Sequence, residues 1–156
     1  MTDANTDAPR TIVVIGGGQA AGWVLKTLRA EGYAGRLVMI ADEPHLPYER
    51  PPLSKAVLAG DADIETVRVV RPDEFEALNV EAWQPERAES IDRARRVVTT
   101  ASGREIEYDR LVIATGGTSR RLPDAIVHTS NLHYLRTLDE AAALGEKLRA
   151  SRRVLV

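Results

Sequence analysis

The residues best equipped for chemistry sit in a few short stretches. Gly16, Gly18 and Ala21 fall in the pattern Gly-x-Gly-x-x-small, directly after the apolar, β-branched run Thr11-Ile12-Val13-Val14-Ile15. Asp42 follows about 20 residues beyond that turn, Lys55 closes Arg50-Pro51-Pro52-Leu53-Ser54-Lys55, and Ala114-Thr115-Gly116-Gly117 ends a second apolar run. Small residues between a strand and a helix leave backbone N–H groups bare for a pyrophosphate, and an acid at the end of the next strand can accept hydrogen bonds from ribose hydroxyls. The chemistry this predicts is the binding of a dinucleotide. Gly16 would make the sharp turn, Gly18 would let the backbone approach the phosphates, and Ala21 would let the helix lie close to its strand.

Taken singly, these signals have plainer readings. A glycine triplet also makes an ordinary strand–loop–helix turn, Lys55 could be a surface charge, and the small residues at 114–117 could be a glycine turn. Element order adds the context. Ala21, Val24, Leu25 and Leu28 form one helical stripe that stops at Gly32, and a strand over Leu37 to Ala41 then delivers Asp42. After it, Pro44, Pro47, Pro51 and Pro52 rule out a regular helix or interior strand and predict an ordered loop. Ser54 could cap a short helix from Lys55 to Ala59, terminated by Gly60, which would hold the Lys55 ammonium in a defined place.

Farther on, a helix is predicted from Pro72, with Asp73 and Glu74 in its first turn and Phe75 and Leu78 turned inward. Val80 to Gln84 and Arg87 to Ile91 read as short strands. Arg96 to Thr100 and Glu105 to Tyr108 read as a hairpin about Ala101-Ser102-Gly103, so a small antiparallel meander interrupts the β–α alternation. Leu111 to Ala114 is a buried strand, 118–136 is irregular, and Thr137-Leu138-Asp139-Glu140 is a capping box opening a helix through Ala150. Arg153 to Val156 reads as the start of another strand.

The chain has 156 residues, 44% of them hydrophobic and 28% charged, in the range of soluble globular domains. No apolar run reaches the ~18 residues of a membrane span, and the polar start of the chain does not resemble a secretory signal. A net charge of −2 gives no electrostatic case for nucleic acid. The absence of cysteine excludes disulfides, thiolate metal sites and a redox-active thiol pair within this stretch, and makes the cytoplasm the expected location. His45, His128 and His133 have no metal-ligand spacing and read as structural. Arg93, Arg95 and Arg96, and likewise Arg120 and Arg121, read as solvated faces, with docking of an acidic partner as the alternative.

The glycine pattern, Pro47-Tyr48-Glu49-Arg50-Pro51-Pro52-Leu53-Ser54-Lys55, Tyr108-Asp109-Arg110-Leu111-Val112-Ile113-Ala114-Thr115-Gly116-Gly117 and Tyr134-Leu135-Arg136-Thr137-Leu138-Asp139 together resemble the FAD-dependent NADH:ferredoxin reductases. These serve bacterial ring-hydroxylating dioxygenases and cytochrome P450 systems; rubredoxin reductases and apoptosis-inducing factor are related to them. The resemblance runs from about Thr11 to the end of the chain, and Arg-Pro-Pro-Leu-Ser-Lys is its most specific part. It implies an α/β, doubly wound Rossmann-like FAD-binding domain of glutathione-reductase type with a small antiparallel β insertion, truncated at its C-terminal end. On that reading 1–10 is a polar tail, 11–150 is the N-terminal part of the FAD-binding domain, and 151–156 begins the first strand of a missing NAD-binding domain.

The resemblance further implies that Gly16, Gly18, Ala20 and Ala21 lie on the FAD pyrophosphate and that Asp42 holds the adenosine ribose. Ala88 would meet the adenine side through its backbone, Thr115 and Gly116 would line the crevice, and Arg136 would also contact FAD. Arg50 and Lys55 would lie beside the flavin, with Lys55, the catalytic residue, near ring atom N5 and paired with a glutamate of the NADH domain. The implied activity moves electrons from NADH through FAD to a [2Fe-2S] ferredoxin, or a rubredoxin, and so indirectly to a terminal oxygenase of aromatic hydrocarbon catabolism. This stretch alone would not turn over. The rival readings are another flavin NADH oxidoreductase, such as a rubredoxin reductase or an NADH oxidase, and a non-catalytic module that senses FAD or NAD.

Overall fold

Ile12, Val13, Val14 and Ile15 are all buried, which is what a strand covered on both faces of a parallel sheet requires. In the computed structural model, which describes residues 9–123 and 131–155, they form β1 (Thr11–Ile15). The chain folds as two units, Met1–Tyr48 with Val69–Thr115, and Glu49–Arg68 with Gly116–Val156.

In the first unit, β1 lies between β2 (Arg36–Ile40) and β7 (Arg110–Ile113), with β3 (Glu81–Trp83) outside β2, all parallel. The register pairs Ile15 with Ile40 on one side and with Ile113 on the other. On one face, α1 (Gln19–Ala30) and α3 (Pro72–Ala77) deliver Ala21, Leu25, Leu28 and Phe75, with Leu78 just past α3, onto Ile12, Val14, Leu37 and Met39. On the other, β4 (Ala88–Asp92), β5 (Val97–Thr100) and β6 (Glu105–Glu107) form an antiparallel meander whose Val98 and Ile106 pack on Val13, Ile15, Val38 and Ile40. The expected hairpin turns at Gly103, with φ +83°. Short strands before the hairpin were expected without an assignment to a sheet. β3 joins the parallel sheet and only β4 joins the meander, because the Trp83 carbonyl accepts the Ala41 N–H beyond the end of β2.

The second unit is helical in its regular parts. Pro51–Ser54 is a 3-10 helix and is followed by α2 (Ala56–Ala59); α4 is Leu138–Ala150. The loop expectation for the proline stretch is therefore corrected. Two prolines occupy the first positions of that 3-10 turn, where a fixed φ suits and no N–H is missed. The expected Ser54 cap is corrected as well. Ser54 ends the 3-10 helix, Lys55 is the N-cap of α2 without a side-chain cap bond, and Gly60 closes α2 at φ +86°. Thr137 and Glu140 form the expected capping box of α4, with Glu140 N donating to Thr137 Oγ1 at 3.2 Å. The strand expected from Arg153 does not form over 153–155, where Val154 and Leu155 are 59% and 99% exposed and no strand among the described residues pairs with them. Residues 1–8, 124–130, His128 among them, and Val156 lie outside the described residues.

Candidate functional site

In the first unit the chain leaves β1 toward β2 and β3 and returns on the other side as β7. The carboxyl ends of β1 and β7 therefore flank the switch point, where open α/β sheets bind ligands. Gly16 turns there at φ +127°, its N–H donating to Ile40 O at 2.8 Å. A Cβ on it would run into the carbonyl oxygen of Ala114 and stand 2.6 Å from the Ala114 carbonyl carbon, and one on Gly17 would stand 2.7 Å from Ala41 Cβ. The turn is thus wedged between the end of β7 and the end of β2. Gly18 differs, because a Cβ there meets nothing within 4 Å. Gly16 is needed for the fold, and Gly18 opens space.

That space faces the start of α1. The first helical bond runs from Gly22 N to Gly18 O, so the amides of Gln19, Ala20 and Ala21 precede it. No side chain caps this end and no acidic residue lies in its first turn. The contrast with α4 is direct, for there Thr137, Asp139 and Glu140 supply the cap and the negative charge. A helix start of 12 residues left bare of its own acid, beside an open glycine, suits an anionic group brought from outside.

Asp42 is exposed just past β2. Glu86 N donates to Ala41 O at 2.7 Å, which ties the residue beside Asp42 to the segment leading into Ala88. Ala88 is half-buried against the meander core and pairs with Thr100 at a register shift in β4. Thr115 is exposed at the end of β7. Gly16, Gly18, Ala20, Ala21, Asp42, Ala88 and Thr115 thus all belong to this unit, and the set fits a dinucleotide: an acid beyond β2, bare amides at a helix start, and room at Gly18.

The second unit holds Arg50, Lys55, Gly116 and Arg136. Arg50 Nη1 donates to Arg136 O at 2.7 Å, and Arg136 Nε donates to Gly117 O at 3.0 Å. A Cβ on Gly116, at φ +67°, would lie 3.4 Å from Arg136 Nη2. Three stretches distant in sequence meet at Arg136. Lys55 is exposed, its N–H donating to Pro52 O at 3.0 Å.

Sequence reasoning passed over residues that hold these pieces. Tyr48 is buried, its backbone bridges to Gly18, and its hydroxyl donates to Glu43 at 2.5 Å. Gly22 lies where a Cβ would stand 2.7 Å from Pro47 Cβ and 2.9 Å from Val69 Cγ1, so α1 approaches its neighbours closely there as well as at Ala21. A glycine inside a helix, at a cost of about 1 kcal/mol relative to alanine, was the available signal. Among the described residues no cluster of three or more His, Asp or Glu could hold a metal ion, and no helix is long and apolar enough to cross a membrane.

The model of the pyridine nucleotide-disulphide oxidoreductases matches residues 10–156. The chain belongs to that family. Putidaredoxin reductase CamA of Pseudomonas putida is 38% identical over 153 residues, which are 96% of this chain and 36% of that protein. The ferredoxin–NAD(+) reductase component of the p-cumate 2,3-dioxygenase system of Pseudomonas putida is 38% identical over 145 residues, 93% of this chain and 36% of that one. A crystal structure of the covalent putidaredoxin reductase–putidaredoxin complex superposes with a TM-score of 0.83 at 38% identity, over 94% of this chain and 35% of the other. The α/β architecture with a parallel sheet and a small antiparallel one is thus the family's. The chain spans little more than a third of the length of these relatives.

Proposed function

We propose that this chain is the FAD-holding part of a reductase that carries electrons from NADH to a [2Fe-2S] ferredoxin feeding an aromatic-ring dioxygenase or a cytochrome P450. The observation that carries the cofactor assignment is the bare start of α1 beside Gly18, at the switch point between β1 and β7. The relatives' names, a putidaredoxin reductase and a dioxygenase reductase component, support the choice of acceptor.

In this reading Gly16 shapes the turn, and the amides at Gly18, Ala20 and Ala21 take the pyrophosphate. Asp42 takes the ribose and the Ala88 backbone takes the adenine. Thr115 and Gly116 leave the strand end open to the ring, and Arg50 and Arg136 add positive charge and donors. Lys55 supplies an ammonium that favours negative charge on the ring where water is partly excluded. The bound flavin supplies the exchange between two-electron and one-electron transfer, and the protein orients and tunes it. Residues 11–150 would be the FAD part, and 151–156 would lead toward a domain for NADH.

The test is to express the full-length polypeptide, record its visible spectrum, and assay NADH-driven reduction of ferredoxins beside a rubredoxin. A flavin spectrum with ferredoxin reduction is the expected result. Rubredoxin reduced in preference to every ferredoxin would change the acceptor, and a colourless protein would remove the proposal.

A further inference from the structure

We infer that Glu140 is a positioning residue for the cofactor, holding the Arg136 backbone through a single carboxylate oxygen and so placing the guanidinium groups of Arg50 and Arg136. The inference rests on the flavin reading of Arg50 and Arg136. Glu140 Oε2 accepts the Arg136 N–H at 2.7 Å and the Thr137 N–H at 3.1 Å. The second of these bonds is the ordinary capping box of α4. The first reaches one residue farther back than the helix needs; the Arg136 N–H belongs to the 135–136 peptide and the Thr137 N–H to the 136–137 peptide that carries the Arg136 carbonyl, so the two bonds together fix Arg136 on both sides.

What hangs from Arg136 is the candidate flavin-side cluster. The Arg136 carbonyl receives Arg50 Nη1 at 2.7 Å, and the Arg136 side chain reaches Gly117 O at 3.0 Å and lies over Gly116. One acceptor oxygen that takes two successive backbone N–H groups restrains the peptides on both sides of Arg136, and with them the carbonyl that Arg50 reaches. Through Arg136 the start of α4 joins the stretch after Arg50 to the one after Thr115.

The capping box supplies its own control. Thr137→Ala removes the Oγ1 that accepts from Glu140 N and so loosens the start of α4, while leaving Glu140 on Arg136. Glu140→Ala loosens the same helix start and also releases Arg136. In the full-length holoprotein the two variants should lose similar thermal stability, but only Glu140→Ala should raise the dissociation constant for FAD, by about tenfold or more. Glu140→Gln keeps an acceptor oxygen and should stay within about threefold of the parent. Glu140→Asp keeps the charge but is one methylene short of Arg136; it should weaken FAD as the alanine variant does, and it stands in if that variant does not fold. Equal FAD affinity in Thr137→Ala and Glu140→Ala, or Glu140→Asp binding FAD like the parent, overturns the inference. A parent protein that binds no FAD overturns instead the flavin reading on which it rests.

Discussion

Gly16 and Gly18, two residues apart, should fail in different ways when each is given a methyl group. At Gly16 the backbone holds φ +127°, a region closed to L side chains at a cost of about 1–3 kcal/mol. The new Cβ would also enter the contact distance of the Ala114 carbonyl, and that group cannot swing away like a flexible side chain, because Ala114 N donates to Ile15 O at 2.7 Å. Overpacking adds about 1–3 kcal/mol, so Gly16→Ala should lose roughly 3–5 kcal/mol of a stability that is typically about 5–15 kcal/mol. At Gly18 the φ of −91° is ordinary and a Cβ meets nothing within 4 Å, so the fold should lose no more than about 1 kcal/mol through a poorer N-cap. On the proposed reading that methyl would nevertheless stand where the pyrophosphate approaches. The assay is urea denaturation of the full-length protein followed by far-UV circular dichroism, beside FAD titration at low denaturant. Gly16→Ala should move the midpoint of the FAD part down by on the order of 2 M. Gly18→Ala should leave the midpoint nearly in place and weaken FAD by at least about tenfold. Full FAD affinity in Gly18→Ala would refute the reading of the helix start as the phosphate site, and an unmoved midpoint in Gly16→Ala would refute the wedge between β7 and β2.

Three further outcomes follow from other parts of the chain. Lys55→Ala in the full-length protein should slow NADH reduction of the bound flavin roughly tenfold or more while weakening FAD binding much less; an unchanged rate in stopped flow takes Lys55 out of the chemistry. Gly22→Ala gains about 1 kcal/mol of helix propensity but drives a Cβ to 2.7 Å from the rigid Pro47 ring and 2.9 Å from β-branched Val69, so a net loss of about 1–2 kcal/mol is expected by denaturation, and a gain would mean that these neighbours yield. Asp109 Oδ2 accepts the Thr11 and Arg10 N–H groups at 2.8 and 2.7 Å, and these bonds hold its carboxyl below the usual range. A depressed acid contributes stability above its unfolded pKa of about 3.9 and loses it as pH falls through the folded value. Asp109→Asn should therefore be less stable than the parent at pH 7, with the gap closing below about pH 4; a gap that stays constant into acid would show that the carboxylate charge contributes nothing.

The legible parts of the sequence were those where local chemistry and tertiary structure ask for the same residues. β1, α1, β2 and β7 sit within a residue or two of their expected bounds, because a doubly covered parallel strand such as β1 needs an unbroken apolar run and α1 needs a 3.6-residue stripe; the burial expected of the strand over Leu111 to Ala114 is corrected, since β7 is only half-buried at Leu111 and Val112 and Ile113 is 64% exposed. The α4 cap was legible for the same reason, since Thr137 and Glu140 are neighbours in sequence and in space. The misses arise where a distant partner decides. The sheet that β3 joins, left open by the sequence, is decided by Ala41 and Trp83; Ser54 is drawn into the 3-10 turn begun by Pro51 and Pro52; and no strand forms over 153–155.

The candidate site divides along the same line. Gly16, Gly18 and Asp42 are candidates on spacing alone, because a nucleotide imposes its own period on a β–α–β unit. Arg50, Gly116 and Arg136 could be reached only through resemblance, for no local pattern signals that an arginine after a proline-rich segment will donate to the carbonyl of another arginine far along the chain. The structure adds the reason that their geometry holds. Arg136 sits one residue before the N-cap of α4, so the carboxylate of Glu140 that caps this helix also holds Arg136, whereas the start of α1 has neither a side-chain cap nor an acid in its first turn. On the proposed reading one helix start acts as a bracket and the other as a binding site, and the difference lies in whether an acid occupies the third position of the helix.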